Sequence, residues 1–135
     1  PDPYPVYNCM NLALESAHLL PEDISYVNAH ATGTLQGDAA ESAAIHMLFG
    51  NKTPVSSLKG HLGHTMAASG ALESIASICM MQESILIATK NLDAPSQDCS
   101  EVLHIPTNDT KQIHTIMKNN FALGGINCSL IFGKL

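Results

Sequence analysis

Short strand-like runs alternate with helical segments along this 135-residue chain, and this alternation constrains its fold more than any other feature. Apolar side chains recur at helical spacing over residues 10–17, and the run 24–29 then predicts a strand. Asp38 stands three residues before Glu41 in an Asp-headed variant of the capping box, which predicts that the next helix begins there. Residues 54–58 predict a second strand. The first half of the chain is therefore expected to run helix, strand, helix, strand.

The second half continues the alternation and ends in strands. A helix from about residue 65 carries apolar side chains on nearly every side, which predicts that it is buried nearly all round. Residues 85–88 predict a third strand, residues 91–110 an irregular loop, and residues 115–118 and 128–132 two final strands. This order predicts one α/β domain over residues 1–135, with helices layered on a mixed sheet. Since the unit opens with a helix, we expect that its N-terminal edge is cut away.

Composition excludes several classes of partner. The chain has 12 acidic and 6 basic side chains, a net charge of −6 and only 13% charged residues, so it has no basic surface for nucleic acid or an anionic membrane. No apolar run approaches the roughly 18 residues of a membrane span, and the N-terminus does not resemble a signal peptide. The four cysteines contain no C-x-x-C pair, which favours a reducing compartment. We therefore expect a soluble intracellular protein.

Two turns that follow predicted strands carry basic and imidazole side chains. His30 comes directly after the first strand, and Lys59, His61 and His64 follow the second. Strand ends are where α/β sheets bind ligands, and two such turns at one sheet edge can converge. A zinc site formed by the histidines is an alternative. It is less favoured, because the spacing fits no compact zinc signature and Lys59 would repel the ion.

None of the four cysteines or the serines is predicted to be a nucleophile. The chain has no G-x-S-x-G elbow. Cys128 begins an apolar strand and Cys79 lies within the long helix, so both are expected to be buried structural thiols. Cys9 and Cys99 have no basic neighbour that would lower the pKa of their thiols. What remains is two histidines and a lysine without an evident nucleophile.

At this point the sequence resembles the C-terminal part of the β-ketoacyl-acyl carrier protein synthases, closest to the elongating type II and mitochondrial forms. The resemblance runs over nearly the whole chain, and its main motifs are Val27-Asn28-Ala29-His30-Ala31-Thr32-Gly33-Thr34, Val55-Ser56-Ser57-Leu58-Lys59-Gly60-His61-Leu62-Gly63-His64 and Asn120-Phe121-Ala122-Leu123-Gly124-Gly125-Ile126-Asn127. It implies the C-terminal half of a thiolase-like fold, in the mitochondrial matrix or a bacterial-type cytoplasm. In this family the nucleophilic cysteine lies in the other half of the fold.

The resemblance also implies roles for four polar side chains. His30 and His64 match the paired histidines that donate hydrogen bonds to the malonyl thioester carbonyl and stabilise the enolate left by decarboxylation. Neutral imidazoles suit this task, because they polarise a carbonyl without attracting the departing carboxylate. Lys59 matches the family's active-site lysine and Glu73 its helix glutamate, and an ion pair between them is expected to hold the histidine turn in place.

Further roles follow for the substrate tunnel and the glycine-containing loop. Thr32 and Thr34 match the hydroxyl residues that line the tunnel for the phosphopantetheine arm. Phe121, Leu123 and Gly124 match the oxyanion and gate loop, in which the Leu123 backbone N–H would form half of an oxyanion hole. No metal and no tightly bound cofactor are expected. The implied partners are acyl carrier protein, malonyl and acyl thioesters and, in the full enzyme, a second copy of the protein.

A non-catalytic function is the main alternative. The chain could be a synthase-like partner or scaffold fragment that binds a full synthase or a carrier protein. Retention of His30, Lys59 and His64 favours the catalytic hypothesis, because a scaffold does not need two histidines in a pocket. A thiolase without decarboxylating activity is the nearest enzymatic alternative. The isolated chain is expected to be inactive and to expose an apolar face of the helix from about residue 65.

Overall fold

A five-stranded mixed sheet lies at the centre of the computed structural model, which describes residues 2–122 and 124–134. The helices are α1 (Pro3–Ala17), α2 (Leu35–Phe49), α3 (Lys59–Leu62) and α4 (Ser69–Glu83). The strands are β1 (Tyr26–Asn28), β2 (Pro54–Ser56), β3 (Ile85–Leu86), β4 (Leu103–His104), β5 (Asp109–Thr110), β6 (Thr115–Ala122) and β7 (Ile126–Gly133). The predicted α/β class with a mixed sheet is confirmed.

Four of the five central strands are parallel, which brings their carboxyl ends to one edge. The order is β4-β2-β1-β6-β7, and only the pairing of β6 with β7 is antiparallel. Asn28 is in register with Ser56 on one side and Lys118 on the other. The chain segments that follow β1 and β2 therefore leave the sheet beside the second half of β6.

Helices cover both faces of the sheet. Val27 and Met117 point towards α1 and α2, while Tyr26 and Ile116 belong to the apolar cluster that includes residues of α4. This division follows from the period of two along a strand, because consecutive side chains point to opposite faces. The result is three layers, with α1 and α2 on one side, the sheet in the middle and α4 on the other. In the described part of the chain, no helix is both long and apolar enough to cross a membrane.

The start of α2 and the loop over residues 91–110 differ from the sequence prediction. Helix α2 begins at Leu35, and its N-cap is Thr34, four residues before the predicted cap at Asp38. The capping box does not form, because Asp38 accepts the Gly33 backbone N–H and Glu41 faces the turn after β1. The segment 91–110 contains β4, which extends the sheet beside β2, and all of β5.

Helix α4 is not buried all round, contrary to the prediction. Its buried face is largely polar and includes Glu73 and Ser77, whereas Leu72 and Ile75 are 43% and 60% exposed. Cys79 is also exposed, so its predicted place in the core is wrong. The sheet packs against only one side of α4. Leu72 and Ile75, about one helical turn apart, lie on the other side and are exposed to solvent. The expected exposed apolar face is thus present.

Strand β7 has a second exposed apolar surface, at the edge of the sheet. Ile126 is 72% exposed and Leu130 48% exposed, and Cys128 lies between them on the same side of the strand. Cys128 is therefore not the buried thiol that its apolar neighbours predicted. The strand has the expected apolar residues, but only its alternate residues face the helices of this chain.

Candidate functional site

The two histidine turns meet at the carboxyl edge of the sheet. His30 lies two residues beyond β1, and His64 follows the short helix α3 beyond β2. The centroids of their rings are 5.6 Å apart, with ring planes nearly perpendicular at 88°. The ring of Phe121, near the end of β6, lies 6.0 Å from that of His30. The predicted convergence of the two turns at one edge is confirmed.

The His30 turn is held against α2 by a buried carboxylate. Glu41 accepts the backbone N–H groups of His30 and Ala31, each at 2.8 Å, one on each carboxylate oxygen. Ala31 has a φ of 25°, which an alanine rarely adopts and which costs free energy. The two hydrogen bonds stabilise this turn in spite of the strain.

Burial and nearby cations keep the His30 imidazole neutral. Burial lowers the pKa of His30 most, the charges of Lys59, Lys118 and His64 lower it further, and the resulting pKa is about 4. Its Nδ1 atom is buried and has no hydrogen-bond partner among residues 2–122 and 124–134. At neutral pH this ring is therefore uncharged, as required of a hydrogen-bond donor that does not attract carboxylates.

The His64 ring has a defined tautomer because of the turn that follows α3. Helix α3 ends at Leu62, and its C-cap Gly63 has a φ of 79°, which lets the chain reverse where a side chain would be strained. The Met66 backbone N–H donates to His64 Nδ1 at 3.2 Å. A ring nitrogen that accepts a hydrogen bond carries no proton, so in the neutral ring the proton is on Nε2. His64 can thus donate through Nε2.

Beneath the histidines lies a buried group of three charges. Lys59 Nζ is 2.6 Å from Glu73 Oε1, and Lys118 Nζ is 2.7 Å from Glu73 Oε2. Ser69 Oγ donates to the same carboxylate at 3.0 Å. Burial by itself raises the pKa of Glu73, but the hydrogen bonds from Lys118 and Lys59 outweigh it and hold the pKa below its usual value. The ion pair that the resemblance implied between Lys59 and Glu73 is present.

Lys118 is the site residue that the sequence analysis missed. It follows Ile116 and Met117 in an apolar strand, and its side chain is fully buried. A lysine buried in the middle of a strand requires a buried counter-ion, because an isolated ammonium is very costly to remove from water. The sequence shows this lysine within a strand and so predicts a buried counter-ion, but it does not identify which carboxylate is the partner.

The two predicted tunnel residues lie beside the histidines. Thr32 and Thr34 have their hydroxyl oxygens 3.2 Å apart. Together with His30 and His64 they line a cleft of about 1170 Å³. Phe121 and Gly124 line the same cleft, and Gly124 has a φ of 90°. Leu123 lies outside the described residues, so its proposed backbone N–H donor has no position here.

The remaining histidines lie apart from the pair. His61 is exposed and contacts the carbonyl oxygen of Ala88 through Nε2 at 3.0 Å. His18 is the C-cap of α1, and His46 contacts the Glu101 carbonyl oxygen at 3.0 Å. Within the described ranges, no three side chains of His, Cys, Asp or Glu come together as a metal site. The zinc alternative therefore has no cluster in this part of the molecule.

Comparisons with known proteins place these features in a family. Residues 1–93 match the family described as "Beta-ketoacyl synthase, C-terminal domain". The chain is 36% identical over 132 residues to the 3-oxoacyl-[acyl-carrier-protein] synthase 2 of Coxiella burnetii, covering 94% of this chain and 31% of that protein. It superposes on the crystal structure of a β-ketoacyl synthase from Burkholderia phymatum with a TM-score of 0.97 at 43% identity, covering 100% of this chain and 33% of that one.

A further solved structure contains a carrier protein. It is a ketosynthase of a type II polyketide synthase in complex with its acyl-carrier protein, and it is similar to this chain with a TM-score of 0.89 at 29% identity. That match covers 96% of this chain and 32% of the ketosynthase. The chain thus spans about a third of the length of the relatives that it matches. The shared architecture is that of the thiolase-like ketosynthases.

Proposed function

The chain belongs to the β-ketoacyl synthase family, as a C-terminal domain, and we propose that it supplies the histidine pair of a decarboxylating condensing enzyme. The substrate class is a malonyl thioester on acyl carrier protein, which is condensed with an acyl thioester in fatty-acid elongation. His30 and His64 are the catalytic residues of this chain, and the nucleophilic cysteine belongs to the remainder of the enzyme.

The chemistry requires a donor at the malonyl thioester oxygen. When the bond to the carboxylate breaks, CO₂ leaves and the electron pair of that bond becomes an enolate with its charge on the thioester oxygen. Hydrogen bonds from His30 and His64 stabilise that charge as it develops. The enolate carbon then attacks the acyl thioester on the nucleophile, a carbon–carbon bond forms, and the nucleophile departs as a thiolate. No step requires the histidines to exchange a proton.

The observation that carries this proposal is the meeting of two imidazole rings in one cleft. Their ring centroids are 5.6 Å apart, His30 has a pKa of about 4, and the Met66 N–H leaves the His64 proton on Nε2. A charged pair would instead bind the malonyl carboxylate and oppose its loss as CO₂. The geometry is therefore suited to an oxyanion that forms after the carboxylate has left.

The neighbouring polar residues support the same function. Thr32 and Thr34 line the cleft that holds both histidines, and we assign them to the phosphopantetheine arm of the carrier protein. A related ketosynthase forms a complex with its acyl-carrier protein, which supports a carrier protein as the partner of this chain. Lys59 begins the helix that leads to His64, and its ion pair with Glu73 positions that turn.

The exposed apolar residues indicate where the remainder of the enzyme packs. Leu72 and Ile75 on α4 and Ile126 and Leu130 on β7 are all more than 40% exposed. The chain accounts for only about a third of its relatives. We therefore assign these surfaces to contacts with the remaining segment, including the half that holds the nucleophile.

The test uses an assembled enzyme, in which this chain replaces the matching third of the Burkholderia phymatum ketosynthase. His30→Ala and His64→Ala are expected to reduce decarboxylation of malonyl-carrier protein by ~10²–10³, the usual loss when one preorganised oxyanion donor is removed. Acyl transfer to the nucleophile should fall less, because its oxyanion lies elsewhere. His61→Ala is the matched control, since His61 is three residues from His64 but is not among the residues that line the cleft.

Two results would contradict the proposal. One is decarboxylation at the parent rate in both histidine variants, which would favour the scaffold alternative. The other is formation of ketoacyl product by the 135-residue chain alone, because the nucleophile should be absent from it. We expect neither, and we expect product only from the assembled enzyme.

A further inference from the structure

Ser57 is a buried residue at the point where the two histidine turns separate from the sheet. It directly follows β2 and is only 3% exposed. The parallel pairing of β1 with β2 continues as far as the Ala29 backbone N–H, which donates to the Ser56 carbonyl oxygen at 2.9 Å. Beyond that bond, the backbone ladder no longer sets the distance between the two chain segments. Side-chain contacts must therefore hold the two turns together.

The Ser57 hydroxyl contacts both turns at once. Its Oγ atom donates to the Ala31 carbonyl oxygen, in the His30 turn, at 3.3 Å. The same atom accepts the backbone N–H of Lys59, the first residue of α3, at 3.3 Å. A hydroxyl has one proton to donate and lone pairs that accept, so it can make both bonds together. Within the part of the chain that the structure describes, this is the only hydrogen-bonded link between the His30 turn and the segment 57–66.

The residue that Ser57 contacts in the His30 turn has a strained backbone. Ala31 has a φ of 25°, which its surroundings must impose. Glu41 accepts the Ala31 backbone N–H at 2.8 Å from the side of α2, and Ser57 donates to the Ala31 carbonyl oxygen from the side of β2. Strained backbone of this kind concentrates at functional sites. The conformation of the turn therefore depends on two partners, and Ser57 is one of them.

Ser57 itself is anchored on a third segment. Its backbone N–H donates to Thr89 Oγ1 at 3.0 Å, in the segment that follows β3. Helix α3 packs against the same segment through Gly60, where a Cβ atom would lie 2.8 Å from the Lys90 carbonyl oxygen. The hydroxyl of Ser57 therefore acts from a fixed position, close to the helix that leads to His64.

We propose that Ser57 is a positioning residue that couples the two turns and so fixes the separation of the His30 and His64 rings. Its importance for catalysis rests on the function proposed above, in which both rings donate to one thioester oxygen. Two donors stabilise a single oxyanion best when both already lie at the required distance, because movement during the reaction costs free energy. The 5.6 Å between the ring centroids is then a distance that Ser57 maintains.

The first measurement is the rate of decarboxylation of malonyl-carrier protein by the assembled enzyme. Ser57→Ala removes one oxygen atom and no carbon, so it deletes both hydrogen bonds without a clash. Hydrogen bonds of ordinary net strength correspond to a factor of ~3–10 in rate, and we expect kcat to fall by this factor with KM unchanged. The two bonds are long, so the activity should fall and not be abolished.

Ser56→Ala is the matched control for this change. Ser56 is the preceding residue and is also buried, at 2% exposed. Its hydroxyl makes hydrogen bonds with the Tyr26 hydroxyl and the Ile87 carbonyl oxygen, and neither partner belongs to a histidine turn. Ser56→Ala should therefore lower the free energy of unfolding, measured by urea titration, and keep the parent kcat.

The second measurement repeats Ser57→Ala in a His64→Ala background. Only His30 donates in that background, so the separation of the rings no longer matters. The ~3–10-fold effect of Ser57→Ala should therefore disappear there. A residue that only stabilised the fold would reduce the rate by the same factor in both backgrounds.

The third measurement does not depend on turnover. Crystal structures of the assembled enzyme with Ser57→Ala and with Ser56→Ala give the separation of the two ring centroids and the φ of Ala31. We expect Ser57→Ala to widen the separation beyond 5.6 Å and to move Ala31 away from its φ of 25°. Ser56→Ala should retain both parent values.

Two outcomes would overturn the proposal. One is an unchanged separation of the ring centroids in Ser57→Ala, whatever its rate. The other is an equal loss of rate on Ser57→Ala in the parent and His64→Ala backgrounds. Decarboxylation at the parent rate in both His30→Ala and His64→Ala would instead contradict the proposed function, and the crystal structures would still decide whether Ser57 sets the separation of the rings.

Discussion

Two buried glutamates, Glu41 and Glu73, lie on opposite faces of the sheet, and each holds one of the histidine turns. Glu41, on α2, receives two neutral backbone N–H groups from the His30 turn. Glu73, on α4, pairs with the ammonium groups of Lys59 and Lys118, and Lys59 is the first residue of the helix that leads to His64. Both carboxyls are almost completely removed from solvent, with exposures of 4% and 1%. The two differ in what compensates that burial.

The difference between Glu41 and Glu73 shows which partners a buried carboxylate needs in order to stay ionised. Burial raises the pKa of Glu41. The hydrogen bonds from Ala31 and His30 and, to a smaller extent, the charge of Lys118 and the amide of Asn119 lower it only in part, so it remains above its usual value. Burial also raises the pKa of Glu73, yet the two lysines reverse the direction. The groups around Glu41 therefore offset only part of the hydration that its carboxylate loses. The two directly paired ammonium groups more than offset that loss at Glu73.

Strand β6 connects the two carboxylates. Lys118 points to the face of α4 and pairs with Glu73, and the next residue, Asn119, points to the face of α2. Its amide nitrogen is 3.5 Å from Glu41 Oε1. Because the side chains of consecutive strand residues point to opposite faces of the sheet, Lys118 contacts the carboxylate on one face and Asn119 the carboxylate on the other. The following predictions test whether the two carboxylates differ as described.

The largest effect is expected from Glu73→Gln. This change leaves Lys59 and Lys118 buried without an anion, and breaking a buried pair by removing one partner typically costs about 3–5 kcal/mol. The free energy of unfolding of the assembled enzyme, from urea titration, is the measurement. Glu83→Gln on the same helix is exposed and should change it little. Equal losses in both variants would contradict the account.

A smaller loss is expected from Glu41→Gln. A glutamine can accept only one of the two N–H groups, and its own amide nitrogen then faces the other. An unsatisfied buried donor costs about 1–3 kcal/mol, less than an unpaired buried charge. The same urea titration compares this variant with Glu22→Gln, which alters an exposed carboxylate. If Glu41→Gln were more damaging than Glu73→Gln, neutral amides would be the stronger partners and the comparison would be wrong.

The pH dependence of stability should have opposite signs for the two carboxyls. The folded pKa of Glu73 is lowered, so its stabilisation is complete above its ordinary value of 4.5 and is lost as pH falls through the folded pKa. The folded pKa of Glu41 is raised, so its ionisation is a cost that disappears as pH falls through that pKa. On acidification, the parent enzyme should therefore lose its advantage over Glu73→Gln and gain relative to Glu41→Gln.

Each unit of pKa shift changes the free energy of unfolding by about 1.36 kcal/mol, so slopes of opposite sign are measurable. Urea titrations at several pH values between neutral and acidic conditions give them. Parallel slopes for the two variants would show that the carboxyls titrate alike in the folded protein.

The smallest effect is expected from Ala31→Gly. Glycine adopts a φ of 25° with less strain, so the turn held by Glu41 should become more stable by up to ~1 kcal/mol, reduced by the greater flexibility of unfolded glycine. Ala29→Gly is the matched control, because Ala29 is buried and its φ is not positive, so the change should destabilise. Destabilisation by both changes would mean that Ala31 is not strained.

The order of the elements and the meeting of the histidines were predictable from the sequence. The apolar periods of 3.6 and 2 are local properties of a segment, and they identified the helices and strands before His30 and before Lys59. The carboxyl ends of parallel strands lie at one edge of a sheet, so two turns that follow strands come together there. Element boundaries were less predictable, as the start of α2 at Leu35 shows, because Glu41 contacts the preceding turn and not its own helix end.

Only the tertiary structure decided which side of each element is covered and which charges meet. Cys79 and Cys128 have the apolar neighbours of buried residues, yet both are exposed, because none of the residues that the structure describes forms a layer over those sides of α4 and β7. Lys118 and Glu73 are 45 positions apart, and no local pattern predicts their contact. Hydrophobic periodicity reports how a segment folds on itself. The partners of a buried charge depend on the packing of segments that are distant in sequence, where the cost of desolvation selects the arrangement that pairs them.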